Sequence, residues 1–195
     1  IAGGVGGGSA DAAATLHILN KVWGIEFGEQ ALERLATQLG SDVPACVRSR
    51  PLVMRGTGER LYDVAAPQLP AVLVNPGVVL ETRRVFERFD RLGANRNFRE
   101  TDPPQSVEFS AFVSALQGYR NDLEAAAIGM CREIDAVLDV LRAERGCMLA
   151  RMSGSGPTCF GIFTDDVAAE AAARRIAEKK RKYWVRSTLF RGMPD

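Results

Sequence analysis

Neither sign of charge dominates this chain of 195 residues: 25 Lys and Arg stand against 24 Asp and Glu, a formal net charge of +1. Without an excess of basic residues nothing holds a nucleic-acid backbone, so no nucleic-acid partner is expected. The one dense basic run, Arg174 to Lys182, closes an expected helix, where the dipole favours cations, and reads as a solvated face. Histidine is nearly absent, with His17 alone, and Cys46, Cys131, Cys147 and Cys159 form no CxxC pair. A zinc-ligand set is thereby excluded, and His17 reads as structural. The cysteines read as buried free thiols of a reducing cytoplasm. Long apolar runs are missing as well. None approaches the ~20 residues that a bilayer span needs, and no signal-peptide pattern is present. With 46% hydrophobic and 25% charged residues, the composition is that of a globular protein, long enough for one large or two small domains.

What is present begins at once. Gly3-Gly4-Val5-Gly6-Gly7-Gly8-Ser9-Ala10 places five glycines in six residues. Glycine lets the backbone approach a ligand and turn several N–H groups inward. Ser9 and Asp11 then open an amphipathic helix to about residue 22, with Ala12, Leu16, Leu19 and Trp23 on one face. A helix N-terminus is itself an anion site, so the segment suits a phosphate chain. It is no Walker loop, since no Gly-Lys-Ser/Thr follows, and it makes no useful GxGxxG match. A loop of this kind needs a preceding strand to aim it, yet the sequence opens on it without methionine; upstream sequence is therefore expected.

Further on, a second helix spans Glu29 to Leu39 and stops at Gly40. The turn Ser41-Asp42-Val43-Pro44 starts a short helical piece. Strands 51–55 and 61–64 flank Gly56-Thr57-Gly58-Glu59 as a hairpin. The segment 65–70 carries two prolines and marks the expected boundary between domains 1–66 and 67–195. Beyond it come a strand at 71–74, helices at about 82–91, 109–117 and 122–144, and a polar loop from Gly93 to Val107. Strand 147–152, the turn Ser153-Gly154-Ser155-Gly156-Pro157, strand 158–163, helix 165–180 and strand 183–190 complete the chain. That order predicts a βαββαβ ferredoxin-like domain and an α/β fold overall. The turn at 153–157 is no nucleophile elbow, because GxSxG around Ser155 requires glycine where Ser153 stands.

The segment Gly4-Val5-Gly6-Gly7-Gly8-Ser9-Ala10-Asp11-Ala12-Ala13-Ala14 resembles the phosphate loop of the GHMP kinases. Five more segments agree in the same order: Gly40 to Pro44, Gly56 to Leu61, Asn75-Pro76-Gly77 with Thr82 and Phe86, Arg120 to Glu124, and Met152 to Thr158. The resemblance runs from residue 1 to about 163. It implies the two-domain α+β fold of that family: the remainder of an N-terminal ATP-binding domain, then a C-terminal domain. It implies transfer of a phosphoryl group from ATP with Mg²⁺ to a small alcohol. The triple glycine followed by Ser-Ala-Asp-Ala-Ala is similar in particular to the branch whose substrate is a cytidyl diphosphate-linked polyol, 4-diphosphocytidyl-2-C-methyl-D-erythritol, phosphorylated at its 2-hydroxyl on the non-mevalonate isoprenoid route.

Residue by residue, the resemblance implies ATP-binding by Gly3, Gly4, Val5, Gly6, Gly7, Gly8, Ser9 and Ala10, with Ser9 also near the metal of the Mg-nucleotide. It implies a catalytic role for Asp42, and substrate contacts from Thr82, Phe86, Gly154, Ser155 and Gly156. A carboxylate that orients a hydroxyl and accepts its proton is what such a kinase needs. Read without the resemblance, Asp42 is a helix N-cap, Phe86 is core beside Val85 and Phe89, and Asn121 and Asp122 are caps. The family's N-terminal lysine, and its substrate-side aromatic and histidine, have no counterpart here. Another GHMP kinase, of homoserine or mevalonate type, and a non-catalytic nucleotide-binding relative stay open as alternatives.

Overall fold

The computed structural model describes residues 3–93, 102–104 and 106–192, and the chain divides into two compact units. Most of the expected loop between Gly93 and Val107 lies outside the described residues. One unit comprises residues 67–190 together with the first residues up to Val5, and the other runs from Gly6 to Ala66 with the short tail after Phe190.

In the larger unit, β3 (Leu69–Asn75) leads through α4 (Thr82–Leu92), α5 (Phe109–Gln117), α6 (Glu124–Ile128) and α7 (Glu133–Arg142) to β4 (Cys147–Met152) and β5 (Cys159–Phe163). Helix α8 (Asp166–Lys179) and β6 (Trp184–Phe190) follow. The strands lie in the order β4-β5-β3-β6, and every pair is antiparallel. This is the ferredoxin-like arrangement, with β3 in the interior of the sheet and buried along nearly its whole length. Helices cover the sheet with one core: Val72, Val74, Ile134, Leu138, Leu141, Phe163 and Ile176 are wholly buried in it.

A single helix over 122–144 is not what forms. The chain breaks at Gly129–Arg132 between α6 and α7, where a Cβ on Gly129 would come within 2.5 Å of the Arg88 guanidinium. The packing of α4 on α6 brings Arg88 against this break, a tertiary contact that helical periodicity does not carry. Helix α8 is capped as its sequence suggests, with Asp165 Oδ1 accepting from the Ala168 N–H at 2.8 Å. The basic residues Lys179 to Lys182 at its end are exposed.

The smaller unit packs α1 (Gly7–Val22), α2 (Glu29–Ala36) and α3 (Val43–Arg48) around Ala13, Leu32, Ala36, Val43 and Val47. The hairpin β1 (Leu52–Arg55) and β2 (Arg60–Asp63) follows. Charge fastens the hairpin to the helices. Arg48 makes two bonds to Glu33, at 2.5 and 3.1 Å, and one to Asp63 at 2.9 Å. Arg50 makes two to Glu29, at 2.9 and 2.8 Å, and shares Asp63 at 2.9 Å. His17 is structural, its Nε2–H donating to the Val47 carbonyl at 3.1 Å and tying α1 to α3. Trp23 does not join the apolar face of α1; it stands 66% exposed as the C-cap, one residue past the last turn. The four cysteines are free, Cys131 and Cys159 buried, and burial pushes the Cys159 thiol up to about 12.

Candidate phosphate and acceptor site

Helix α1 begins three residues earlier than Ser9 as its N-cap would have it. The N-cap is Gly6, in the left-handed region at φ 65°, and the Ala10 N–H already bonds to the Gly6 carbonyl at 2.9 Å. Ser9 therefore sits in the first turn rather than capping it, because glycine can take the left-handed entry that serine avoids. The consequence is chemical. No side chain caps this N-terminus, so the first-turn N–H groups of Gly7, Gly8 and Ser9 have no partner within the helix and keep their positive end for a ligand. Among the described residues, a Cβ placed on Gly7 or Gly8 would meet nothing within 4 Å.

The two preceding glycines belong to the larger unit. Thr158 Oγ1 donates to the Gly3 carbonyl and Ser153 Oγ to the Gly4 carbonyl, each at 2.5 Å. At φ 153° and 77° these positions favour glycine, and a Cβ would strike Pro157 Cδ at 2.8 Å or the Ser153 carbonyl at 2.7 Å. The first glycines are thus locked onto the turn that joins β4 to β5. That turn includes a cis peptide at Gly156–Pro157 and a buried Ser155. Ser155 Oγ and Thr82 Oγ1 lie 2.9 Å apart, so the structure brings together Gly3, Gly4, Thr82, Gly154, Ser155 and Gly156. Gly156 is held tightly as well: at φ 76° a Cβ would fall 2.6 Å from Met152 Sδ.

Phe86 follows Thr82 by four residues on α4 and so shares its face. It is 49% exposed, whereas Val85 is fully buried. The core reading of Phe86 does not hold; an apolar ring is displayed one turn from the Thr82–Ser155 pair.

Asp42 occupies the N-cap position of α3, yet its carboxylate makes no capping hydrogen bond. It accepts from its neighbour Ser41 Oγ at 3.3 Å, and the residue is exposed. The Cys46 thiol one turn on is pushed up, first by burial and then by the Asp42 charge. The backbone before Asp42 is fixed from the hairpin side: Gly58 is buried, and a Cβ there would lie 2.1 Å from the Ser41 carbonyl. That contact explains why glycine is required in Gly56-Thr57-Gly58, which spacing alone marks only as a turn.

Asn121 does more than begin a helix. Its Nδ2 donates to the carbonyls of Met152, at 2.9 Å, and Gly154, at 2.8 Å, and its Oδ1 accepts the Leu123 N–H at 3.0 Å. Glu124 Oε2 accepts the Met152 N–H at 3.0 Å. These residues brace the start of the 153–157 turn, a role that local capping patterns conceal.

Residues 1–50 match the model of the GHMP kinases N terminal domain and residues 107–182 that of the GHMP kinases C terminal. The 4-diphosphocytidyl-2-C-methyl-D-erythritol kinase of Hyphomonas neptunium is 44% identical over 200 residues, covering 100% of this chain and 66% of its own length. That of Bradyrhizobium sp. strain BTAi1 is 41% identical over 192 residues, covering 95% and 64%. The chain thus spans about two thirds of the length of these curated relatives. A crystal structure of 4-(cytidine 5'-diphospho)-2C-methyl-D-erythritol kinase superposes with a TM-score of 0.73 at 33% identity, over 98% of this chain and 67% of that one. A mevalonate kinase of L. major with R-mevalonate gives 0.70 at 14% identity, covering 100% and 68%, a likeness of fold alone.

Proposed function

Because the chain belongs to the GHMP kinases, we propose that the protein phosphorylates the 2-hydroxyl of 4-diphosphocytidyl-2-C-methyl-D-erythritol at the expense of ATP. The observation that carries the kinase reading is the glycine segment, which enters a helix whose first turn no side chain caps. Fixed amides of this kind stabilise negative charge without reorganising during the reaction. In the transfer, the acceptor oxygen attacks the γ-phosphorus, the bond from that phosphorus to the β,γ-bridging oxygen breaks, and ADP leaves. Asp42 orients the hydroxyl and takes its proton, for which a carboxylate not engaged in capping is suited.

Among the described residues no group of three or more His, Cys, Asp or Glu could hold a metal ion. A Mg²⁺ would come with the nucleotide, its hard oxygen ligands being chiefly phosphates and water, with Ser9 Oγ as one protein donor near them. When bound, it would neutralise charge on the transferring group.

The cytidyl substrate is supported by the names of the relatives and by the exposed Phe86 ring, which offers a face for a pyrimidine. The deciding experiment incubates the full-length protein and ATP with the cytidyl polyol, with homoserine and with mevalonate. Phosphorylation of the cytidyl polyol is expected. Faster turnover of either other alcohol reassigns the substrate, and no transfer to any of them removes the kinase reading.

A further inference from the structure

Asn75 and Thr158 are polar side chains only 1% exposed, inside the larger unit. They form a directed chain. The Gly77 N–H donates to Asn75 Oδ1 at 2.8 Å, which turns the amide so that Nδ2 faces Thr158. Nδ2 donates to Thr158 Oγ1 at 2.8 Å, and because that oxygen is accepting, its own hydrogen is committed to the Gly3 carbonyl. Ser153 Oγ holds the Gly4 carbonyl in the same way. In a trans peptide the N–H points opposite to the C=O. Two consecutive carbonyls drawn down onto the 153–158 segment therefore turn the N–H groups of Gly4 and Val5 away from it.

We propose that Asn75, Ser153 and Thr158 are positioning residues for the phosphate loop, which set its first two amides before the nucleotide arrives. The inference rests on the reading of Gly3–Ser9 as the phosphate cradle. It gives the Asn-Pro-Gly turn after β3 a task in nucleotide binding that Asn75 exerts through Thr158. Hydrogen bonds in such a chain reinforce one another, and its buried members are costly to leave unpaired.

The test uses the full-length protein and titrates ATP calorimetrically, with thermal unfolding recorded in parallel. Thr158→Val removes the hydroxyl and keeps the shape. It is expected to raise Kd for ATP about three- to tenfold, the scale of one lost hydrogen bond, and to leave KM for the acceptor alcohol near wild type. Thr158→Ser restores the hydroxyl and should restore ATP affinity; a serine variant as weak as the valine one assigns the effect to packing and overturns the proposal. Ser153→Ala, at a half-buried site, should show the same split, and it decides the matter if Thr158→Val does not fold. Lower thermal stability with unchanged ATP affinity in the folded variants also overturns it. Gly7→Val separates the two readings, since its side chain has room in the fold but blocks phosphate approach. Loss of ATP binding in Gly7→Val beside wild-type affinity in the Thr158 and Ser153 variants leaves the cradle standing without its positioning residues. Wild-type affinity in Gly7→Val removes the cradle and the proposal with it.

Discussion

Asp42 and Phe86 are exposed side chains to which the proposed function gives separate tasks. Asp42 stands where a capping carboxylate is ordinary, yet its oxygens do not bond to the first turn of α3. Capping is worth roughly 0.5–2 kcal/mol where it occurs; here that stabilisation is forgone and the carboxylate stays exposed. Asp42→Asn in the full-length protein is accordingly expected to lower kcat on the order of 10²-fold or more, with ATP affinity and thermal stability close to wild type. Wild-type turnover in a single-turnover assay takes Asp42 out of the mechanism. Phe86 displays about half of its surface beside the Thr82–Ser155 pair. A ring stacked on a base contributes about 1–3 kcal/mol, so Phe86→Ala should raise KM for the cytidyl substrate about tenfold and change KM for ATP little. A core phenylalanine would cost ~3–5 kcal/mol of stability. Unaltered KM for the cytidyl substrate, measured alongside the melting temperature, would falsify the stacking role.

Between elements, the smaller unit depends on charge as well as on its modest core. Arg48 and Arg50 join α2 to β2 through Glu33, Glu29 and Asp63, and Arg48 and Glu33 are largely withdrawn from water. Hydrogen bonding from Arg50 is the foremost influence on Glu29, holding its carboxyl below the usual 4.5. For Asp63 desolvation pushes upward, but the bonds from Arg48 and Arg50 outweigh it and leave the carboxyl below 3.8. Groups depressed on folding contribute stability in full above their ordinary values and lose it as pH falls through the depressed ones. The protein should therefore hold this contribution from neutral pH down to about 5 and shed it progressively in the range below about 4. Arg50→Met should flatten the acid limb of a melting temperature-versus-pH curve. A variant whose curve runs parallel to wild type over that limb would show that the network does not govern acid stability.

At the scale of the molecule, the larger unit has one continuous core between the four-stranded sheet and its helices. Leu138, on α7, is fully buried in it. Leu138→Ala should destabilise the protein by about 2–5 kcal/mol through lost burial and an unfilled cavity, read from denaturant unfolding. A loss below ~1 kcal/mol would mean that the core relaxes into the space. The division that bears on the glycine segment also appears only at this scale: Gly3 and Gly4 belong with the sheet unit, and Gly6 and α1 with the other.

Local chemistry made much of this legible in advance. Strand and helix order in the larger unit, the hairpin at β1–β2, the start of α3 at Asp42 and the glycine run all follow from periodicity, turn residues and capping, which act over a few neighbours. The segments resembling the GHMP kinases could be read for the same reason, since each is short and contiguous. What only tertiary structure decided are relations between residues far apart in sequence. The helix that periodicity would continue over 122–144 is two, α6 and α7, with Arg88 of α4 packed against Gly129 between them. A left-handed Gly6, not Ser9, opens α1, because a helix start depends on how the preceding backbone enters it. The Asn75–Thr158–Gly3 chain spans contacts 83 and 155 residues apart. No local pattern can encode it, since a buried amide is satisfied by whatever partner the fold brings within about 3 Å.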